Sequence, residues 1–240
     1  ITISQRAVDT VGTGGDGAHT INISTTAAII AAASGAKVIK HGNRAASSKS
    51  GSADLLESLG ININLDGRGV EQSFNELGIG FCFAPVFHPA LKTVAPIRRN
   101  LGVRTFFNLL GPMVNPSNPA FQLVGVYNLE ISRIYNYLLQ GENRAYAIIH
   151  SLDGYDEVSL TADVKMITKD GESILTPLQL GKQYVNQHDL HGGESIEAAA
   201  QIFMNILKGK GTEAQNAVVT ANAALALLIT DKYTDYETAR

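Results

Sequence analysis

The stretch DTVGTGGDGAHTINIST, residues 9–25, contains glycines at the spacing G-x-G-x-x-G, at Gly12, Gly14 and Gly17. This spacing is typical of dinucleotide-binding folds, in which the backbone of the glycine loop approaches a pyrophosphate. In those folds a helix begins inside the glycine motif, and an acidic residue about 20 positions further on binds the ribose. A dinucleotide site therefore requires both a helix and an acidic residue at set places.

The residues that follow the glycine stretch match neither requirement. The first helix-start signal is Ser24, well beyond Gly17, and the next strand ends in KHGNR, residues 40–44, instead of an acidic residue. The G-x-x-x-x-G-K-[ST] pattern of a P-loop is also missing from the chain. The sequence therefore argues against a dinucleotide site and against a P-loop.

A phosphate-binding loop remains as the interpretation of the glycine stretch. Glycines let backbone N–H groups face an anion closely, and the positive end of a helix over 24–35 adds its dipole. Further hydrogen-bond donors stand at that helix start, namely Asn22, Ser24 and Thr25. A tight turn followed by an ordinary helix cap is the alternative for this stretch taken alone.

Two cations and one acid bear on that choice. Lys40 and Arg44 follow a neighbouring strand, at the sheet edge where α/β proteins bind ligands, and they favour an anion. Asp16 fits no purely anion-binding site, because its charge would repel phosphate unless it meets ribose hydroxyls, a metal or another cation. The role of Asp16 stays open on these residues.

Short apolar strands alternate with helical patterns along most of the chain. This alternation predicts βαβ units and an α/β fold with a mainly parallel sheet flanked by helices. Beyond about residue 158 the pattern changes, and Asp170-Gly171 predicts a hairpin turn between antiparallel strands. The predicted strands are 7–13, 36–42, 79–85, 121–127 and 144–151, and the predicted helices are 24–35, 52–60, 70–78, 88–110, 130–140, 194–208 and most of 213–240.

The composition is that of a folded domain of 240 residues, with 45% hydrophobic residues and a net charge of -3. The negative charge argues against bulk attraction to nucleic acid. No apolar run approaches the ~20 residues that span a membrane. Cys82 is the single cysteine, flanked by phenylalanines, and indicates core packing in a reducing compartment. We expect a soluble cytoplasmic protein, and a fragment of a longer one, since the chain lacks an initiator Met and ends within a helical pattern.

Several motifs in order carry a family resemblance. GTGGD, N-x-S-T and KHGNR are followed by KSGSADLLESLG, FAPVFHPALKTVAPIRRNLGVRTFFNLLGPMVNP and GYDEVSL. Together they resemble the anthranilate phosphoribosyltransferases over nearly the whole chain. The resemblance implies a nucleoside-phosphorylase-like phosphoribosyltransferase fold, with residues 1–240 forming the α/β domain that binds phosphoribosyl pyrophosphate. It also implies a homodimer formed through a small helical domain, to which about 88–110 would contribute while its other helices precede residue 1.

The resemblance also implies roles for individual residues. Phosphoribosyl pyrophosphate would contact Gly12, Gly14, Gly15, Asp16, Thr20, Asn22, Ser24, Thr25, Lys40 and Ser52. Anthranilate would contact Gly12, Asn43, His88, Arg98, Gly111 and Pro112. Mg²⁺ would be held by Ser24, Asp156 and Glu157.

The chemistry of these residues agrees with the implied transfer to an aromatic amine. Such an amine is neutral near physiological pH, so no general base is assigned, and Asp16 is the one residue considered for contact with the amine or for ordering the loop. Arg98 can grip a carboxylate through two hydrogen bonds. His88 lines the aromatic pocket or caps a helix at Pro89. Asp156 and Glu157 would diverge on a strand, but in a loop at Gly154-Tyr155 they converge or bind two separate ions.

Two other functions are compatible with parts of the sequence. A pyrimidine-nucleoside phosphorylase of the same fold is disfavoured by KHGNR and by the Asp156–Glu157 pair, which suit pyrophosphate and magnesium. A non-catalytic relative that binds nucleic acid should carry a basic excess, whereas this chain is net negative. The sequence therefore favours the transferase, with small-molecule substrates, no membrane and no nucleic acid as partner.

Overall fold

The computed structural model describes residues 1–3, 6–45, 48–90, 106, 109–230, 232–233 and 235–239. A seven-stranded sheet has the order β3-β2-β1-β4-β5-β6-β7. The strands are β1 (Val8–Gly12), β2 (Val38–Gly42), β3 (Ile79–Phe83), β4 (Phe121–Gly125), β5 (Ala145–Ser151), β6 (Val164–Thr168) and β7 (Gly171–Leu175). In the order β3-β2-β1-β4-β5, each strand pairs in parallel with its neighbour. Strand β6 pairs antiparallel with β5, and β7 pairs antiparallel with β6. The prediction of a mainly parallel α/β sheet with an antiparallel hairpin at Asp170-Gly171 is confirmed.

Helices cover both faces of the sheet. They are α1 (Ile23–Ala33), α2 (Ser52–Ser58), α3 (Gly67–Leu77), α4 (Ala84–Phe87), α5 (Leu129–Leu139), α6 (Ile196–Leu207), α7 (Glu213–Leu228) and α8 (Tyr236–Ala239). Residues 187–190 and Gly111–Met113 form single 3₁₀ turns. None of the described helices is both long enough and apolar enough to pass through a membrane.

The core forms because strand residues alternate between the two faces of the sheet. Leu123 and Ile149 pack towards α1 and α7, which lie against each other through small side chains. Val124 and Ile148 point the other way, towards α5. Cys82 is fully buried, and burial raises the pKa of its thiol to about 12, which agrees with a packing role.

The predicted starts of α1 and α3 are wrong. The N-cap of α1 is Asn22 instead of Ser24, because Ile23 already packs in the core and brings the helix start forward. Helix α3 begins at Gly67 and not at 70, since the Asp66 carboxylate accepts from the Gly69 N–H at 2.9 Å and offsets the low helix propensity of the glycines. Helices α7 and α8 together cover most of 213–240, as predicted, and the described residues between Leu228 and Tyr236 are not helical.

The carboxyl ends of β1 to β4 lie along one edge of the sheet. The connection that follows β1 leads to β2, which lies on one side of β1, whereas β4 lies on the other side. The direction of the strand order therefore reverses at β1. Ligands of open α/β sheets bind at such a reversal point. The predicted helix over 88–110 lies mostly outside the described residues, since 91–105 and 107–108 are not described.

Candidate active site

A cleft of about 290 Å³ opens at this edge of the sheet. The glycine loop after β1, the first turn of α1, the end of β2 and the loop after β5 form its walls. Most residues proposed from the sequence line it, although they are far apart in the chain. They are Gly12, Gly14, Gly15, Asp16, Thr20, Asn22, Ser24, Thr25, Lys40, Asn43, Ser52, Gly111, Asp156 and Glu157.

The glycine loop turns back on itself through left-handed backbone conformations. Gly14, Gly15 and Gly17 have φ values of 65°, 81° and 75°, which side chains with a Cβ rarely adopt. The loop ends at Asn22, whose side chain donates to the Ser50 carbonyl at 3.1 Å and does not cap α1. The uncapped N-terminus of α1 therefore faces the cleft and favours an anion there.

Three carboxylates meet at the bottom of the cleft. Oxygens of Asp16, Asp156 and Glu157 lie within 4.8 Å of one another. Burial and the charge of Asp16 raise the pKa of Asp156 to about 7, and burial with the Asp156 charge raises the pKa of Glu157. A divalent cation would relieve this repulsion, and carboxylate oxygens are the ligands that Mg²⁺ prefers. Asp156 and Glu157 thus converge in a loop, and the unassigned Asp16 lies beside them.

Two glycines allow this acidic turn to approach the strand ends. A Cβ on Gly12 would lie 2.4 Å from Asp156 Oδ2, and a Cβ on Gly125 would lie 1.5 Å from the Asp156 carbonyl oxygen. The Gly14 N–H donates to Asp156 Oδ2 at 2.6 Å, which ties the turn to the glycine loop. Glycine is therefore a steric requirement at Gly125, where the neighbouring atoms are backbone, whereas a Cβ at Gly12 would have to displace the Asp156 carboxylate.

Gly125→Ala is expected to displace the acidic turn, because the added methyl group collides with backbone that has no rotamer to change. We expect a loss of roughly 1–3 kcal/mol in the free energy of unfolding, together with weaker Mg²⁺ binding by calorimetry. Gly141→Ala is the matched control, since a Cβ there meets only the Leu138 carbonyl oxygen at 3.9 Å. Equal behaviour of the two variants would contradict the steric argument.

Buried side chains that the sequence did not single out hold the acidic turn from behind. Ser151 Oγ donates to the Glu157 carbonyl at 2.6 Å and accepts from the Ser159 N–H at 3.1 Å. The Asn222 amide accepts from the Val158 N–H at 3.1 Å and donates to the Val158 carbonyl at 2.8 Å. No local motif marks Ser151 or Asn222, because the side-chain contacts that matter here form only in the folded chain.

Lys40 is the buried cation of the cleft, with 4% of its surface exposed. Its ammonium donates to the Thr10 carbonyl and, at 3.4 Å, to Ser24 Oγ. Burial lowers its pKa, whereas the charges of Asp9, Glu157 and Asp156 oppose that shift. Arg44, the other predicted cation, donates instead to Glu57 Oε2 at 2.8 Å and Asp54 Oδ1 at 3.0 Å.

Two histidines pack against each other beside the cleft, and His41 is the one that lines it. The rings of His41 and His88 meet edge to face with centroids 5.2 Å apart. His41 Nδ1 lies 2.9 Å from the Gly111 carbonyl oxygen, and burial lowers the His41 pKa to about 4. The Nε2 atoms of both histidines are buried and have no hydrogen-bond partner among the described residues.

Three residues proposed for anthranilate differ in position from the rest. His88 does not line the cleft itself and reaches it through the His41 ring. Pro112 is buried behind the wall, where its carbonyl accepts from the Gln122 amide. Arg98 lies outside the described residues.

A family model described as "Glycosyl transferase family, a/b domain" matches residues 4–240. The anthranilate phosphoribosyltransferase of Flavobacterium psychrophilum is 54% identical over 93% of this chain and 68% of its own length. That of Flavobacterium johnsoniae is 51% identical over 98% of this chain and 71% of its own length.

Solved structures agree with this assignment. The anthranilate phosphoribosyltransferase of Thermus thermophilus superimposes with a TM-score of 0.91 at 38% identity, covering 100% of this chain and 72% of that one. The Saccharomyces cerevisiae enzyme in complex with PRPP and Mg gives a TM-score of 0.90 at 28% identity, covering 100% and 68%. On its sequence and fold together, this chain belongs to the anthranilate phosphoribosyltransferase family, within the glycosyl transferases.

Proposed function

We propose that this chain transfers the phosphoribosyl group of phosphoribosyl pyrophosphate (PRPP) to the amine of anthranilate and releases pyrophosphate, a step of tryptophan biosynthesis. The observation that carries the proposal is that one cleft combines an acidic cluster, Asp16, Asp156 and Glu157, with hydrogen-bond donors that can bind an anion. Such a combination suits a ligand that is both a polyanion and a metal chelator. The yeast relative with PRPP and Mg bound supports this ligand.

On the donor side, the leaving pyrophosphate gathers negative charge as the bond to the ribose breaks. Preorganised cations and N–H donors lower the barrier to such a step. Lys40 and the uncapped start of α1 supply them here. Mg²⁺, held by Ser24, Asp156 and Glu157 with Asp16 alongside, would neutralise further charge on the pyrophosphate.

On the acceptor side, the amine of anthranilate needs positioning more than activation. An aromatic amine is neutral near pH 7, and His41, whose pKa is about 4, is a neutral imidazole there. Asn43, His88 and the Gly111-Pro112 turn would form the pocket, and Arg98 would bind the carboxylate. Catalysis would then arise from orientation and charge stabilisation.

The assembly and domain organisation are part of the same proposal. We infer a homodimer formed through a helical domain to which about 88–110 contribute, with residues 1–240 as the PRPP-binding domain. A cytoplasmic location is likewise inferred from the family's biosynthetic role.

The proposal is tested by following the loss of anthranilate fluorescence in the presence of PRPP and Mg²⁺. The assay is run on this chain and on a form extended by the N-terminal segment of its 54% identical relative. Turnover that stops when Mg²⁺ is chelated is the expected result. If neither form consumes anthranilate, while a pyrimidine nucleoside and phosphate are converted, the proposal is wrong and the phosphorylase alternative is correct.

Arg98→Ala is expected to raise the KM for anthranilate about 30-fold and to leave the KM for PRPP nearly unchanged. The factor corresponds to about 2 kcal/mol, the usual contribution of a charged hydrogen bond. Steady-state kinetics with each substrate varied in turn provide the measurement. Arg99→Ala is the control, since the sequence predicts a helix over 88–110 and adjacent residues of a helix face different directions. Equal losses for both substrates would rule out the carboxylate role of Arg98.

A further inference from the structure

The parallel ladder between β1 and β2 stops before it reaches the cleft. β1 pairs with β4 over five residues, and β2 pairs with β3 over five, but β1 and β2 are in register only at Val8 and Val38. From there both strands continue to Gly12 and Gly42 at the floor of the cleft. Buried backbone groups need hydrogen-bond partners, so something other than a ladder must satisfy them.

Three buried side chains, Asp9, Lys40 and Asn115, bond to backbone groups of β1 and β2 beyond this point, and we call them the polar seam. Asp9 Oδ1 accepts from the His41 N–H at 3.1 Å. Asn115 Nδ2 donates to the Ile39 carbonyl at 2.9 Å, and the Lys40 ammonium donates to the Thr10 carbonyl. Hydrogen bonds from side chains thus replace the backbone hydrogen bonds between β1 and β2 beyond Val8 and Val38.

Asp9 is the junction of the polar seam. Its second oxygen, Oδ2, accepts from Asn115 Nδ2 at 2.9 Å. The residue has 0% exposure, and burial raises its pKa to about 6. The hydrogen bond from Asn115 and the charge of Lys40 act in the other direction and lower the pKa. Burying a carboxylate is costly compared with continuing a ladder, so stability alone does not account for Asp9.

The polar seam connects the two halves of the cleft. Lys40 lies on the side proposed for pyrophosphate. Asn115 follows the Gly111–Met113 turn, whose Gly111 carbonyl lies 2.9 Å from His41 Nδ1 on the side proposed for anthranilate. Asp9 therefore touches β2 at His41 and the segment after the turn at Asn115, and does not itself line the cleft.

We propose that Asp9 is a positioning residue of the transfer reaction, which holds the end of β2, with Lys40 and His41, against the Gly111 turn. The inference rests on the proposed function, since it assigns Lys40 to the phosphoribosyl donor. Small displacements of a positioned group can cost up to about 100-fold in rate. Movement of the β2 end should therefore affect donor binding and turnover more than folding.

Asp9→Asn tests the inference with an almost isosteric change. The new side chain can still accept from the His41 N–H through its oxygen, but its NH₂ group then sets a donor against Asn115 Nδ2. Asn115 is not free to rotate, because its Oδ1 accepts from the Ser117 N–H at 3.0 Å and from Ser117 Oγ at 2.7 Å. We expect the Kd for PRPP with Mg²⁺, measured by calorimetry, to rise about tenfold or more, and kcat to fall as well.

A matched variant separates positioning from stability. Leu139→Ala removes a fully buried side chain between α5 and the sheet, away from the cleft, and should lower Tm without changing the Kd for PRPP. If Asp9→Asn does not fold, Asn115→Ala removes the same contact from the other side and should weaken PRPP binding in the same way.

The outcomes are distinguishable. PRPP binding by the wild-type chain together with unchanged Kd and kcat in a folded Asp9→Asn or Asn115→Ala variant would overturn the inference and leave the proposed function intact. A wild-type chain that bound no PRPP would overturn the proposed function, and the inference with it. A higher Kd in Asp9→Asn, with Leu139→Ala unchanged at a similar loss of Tm, would support the positioning role.

Discussion

Replacing Asp156 by Asn and Glu157 by Gln in one variant is expected to abolish Mg²⁺-dependent turnover. The change keeps the shape of both side chains but removes two of the three carboxylates that meet in the cleft. Loss of a single preorganised charge-stabilising group typically costs about 10²–10³-fold in kcat, so a loss of at least about 100-fold is expected here. The measurement is the initial rate of anthranilate consumption over a Mg²⁺ titration.

The double variant should also fold well. Burial first, and then repulsion between the carboxylates, raises the pKa values of the two carboxyls, and neutral amides remove both costs. We therefore expect Tm in the absence of Mg²⁺ to be equal or higher and Mg²⁺ binding by calorimetry to be lost. Asp170→Asn, on the exposed hairpin turn, is the control and should keep both the Tm and the Mg²⁺ binding of the unchanged chain. Undiminished rates in the double variant would remove these residues from the metal site.

The second large effect is expected for Lys40→Met. Methionine fills nearly the same volume but brings no charge to a position where the ammonium is almost fully buried. Since a charge in such a place acts on pyrophosphate with little screening, we expect kcat/KM for PRPP to fall about 100-fold. The KM for anthranilate should change little, and steady-state kinetics at saturating levels of the other substrate measure both.

Lys37→Met is the matched control for that prediction. Lys37 directly precedes β2, at the end of the strand opposite the cleft, and its ammonium lies 5.8 Å from the centre of the Phe74 ring. Removing its charge should leave the kinetic constants for PRPP and for anthranilate unchanged. If KM for PRPP and kcat were unchanged in Lys40→Met, the donor-side role of Lys40 would be wrong.

Local sequence was sufficient for much of the fold and, within the cleft, for the glycine loop and the cationic strand end. Alternating apolar strands and helices predicted the parallel sheet, and Asp170-Gly171 predicted the hairpin, because both patterns reflect short-range backbone preferences. The late helix start and the KHGNR strand end argued against a dinucleotide site, because these two features also depend only on neighbouring residues. Helix boundaries such as Ser24 in place of Asn22 were wrong, since core packing around Ile23 decides them.

The convergence of the acids was decided by the tertiary structure alone. Asp16 remained unexplained in the sequence, whereas in the fold it lies beside Asp156 and Glu157. The Gly14 N–H and the Asp156 carboxylate that it binds are 142 positions apart. The β1–β4 pairing and the two glycines at the strand ends bring them together, and no local pattern encodes that approach.

The polar seam shows the same division. The sequence by itself determined that a strand, a glycine loop and a cationic strand end are present, because these depend on neighbouring residues. It could not show that Asp9 binds Asn115, 106 positions away, or that the β1–β2 ladder stops there. Those features depend on where the pairing of two strands stops and on which buried polar groups then satisfy one another, and only the folded chain determines both.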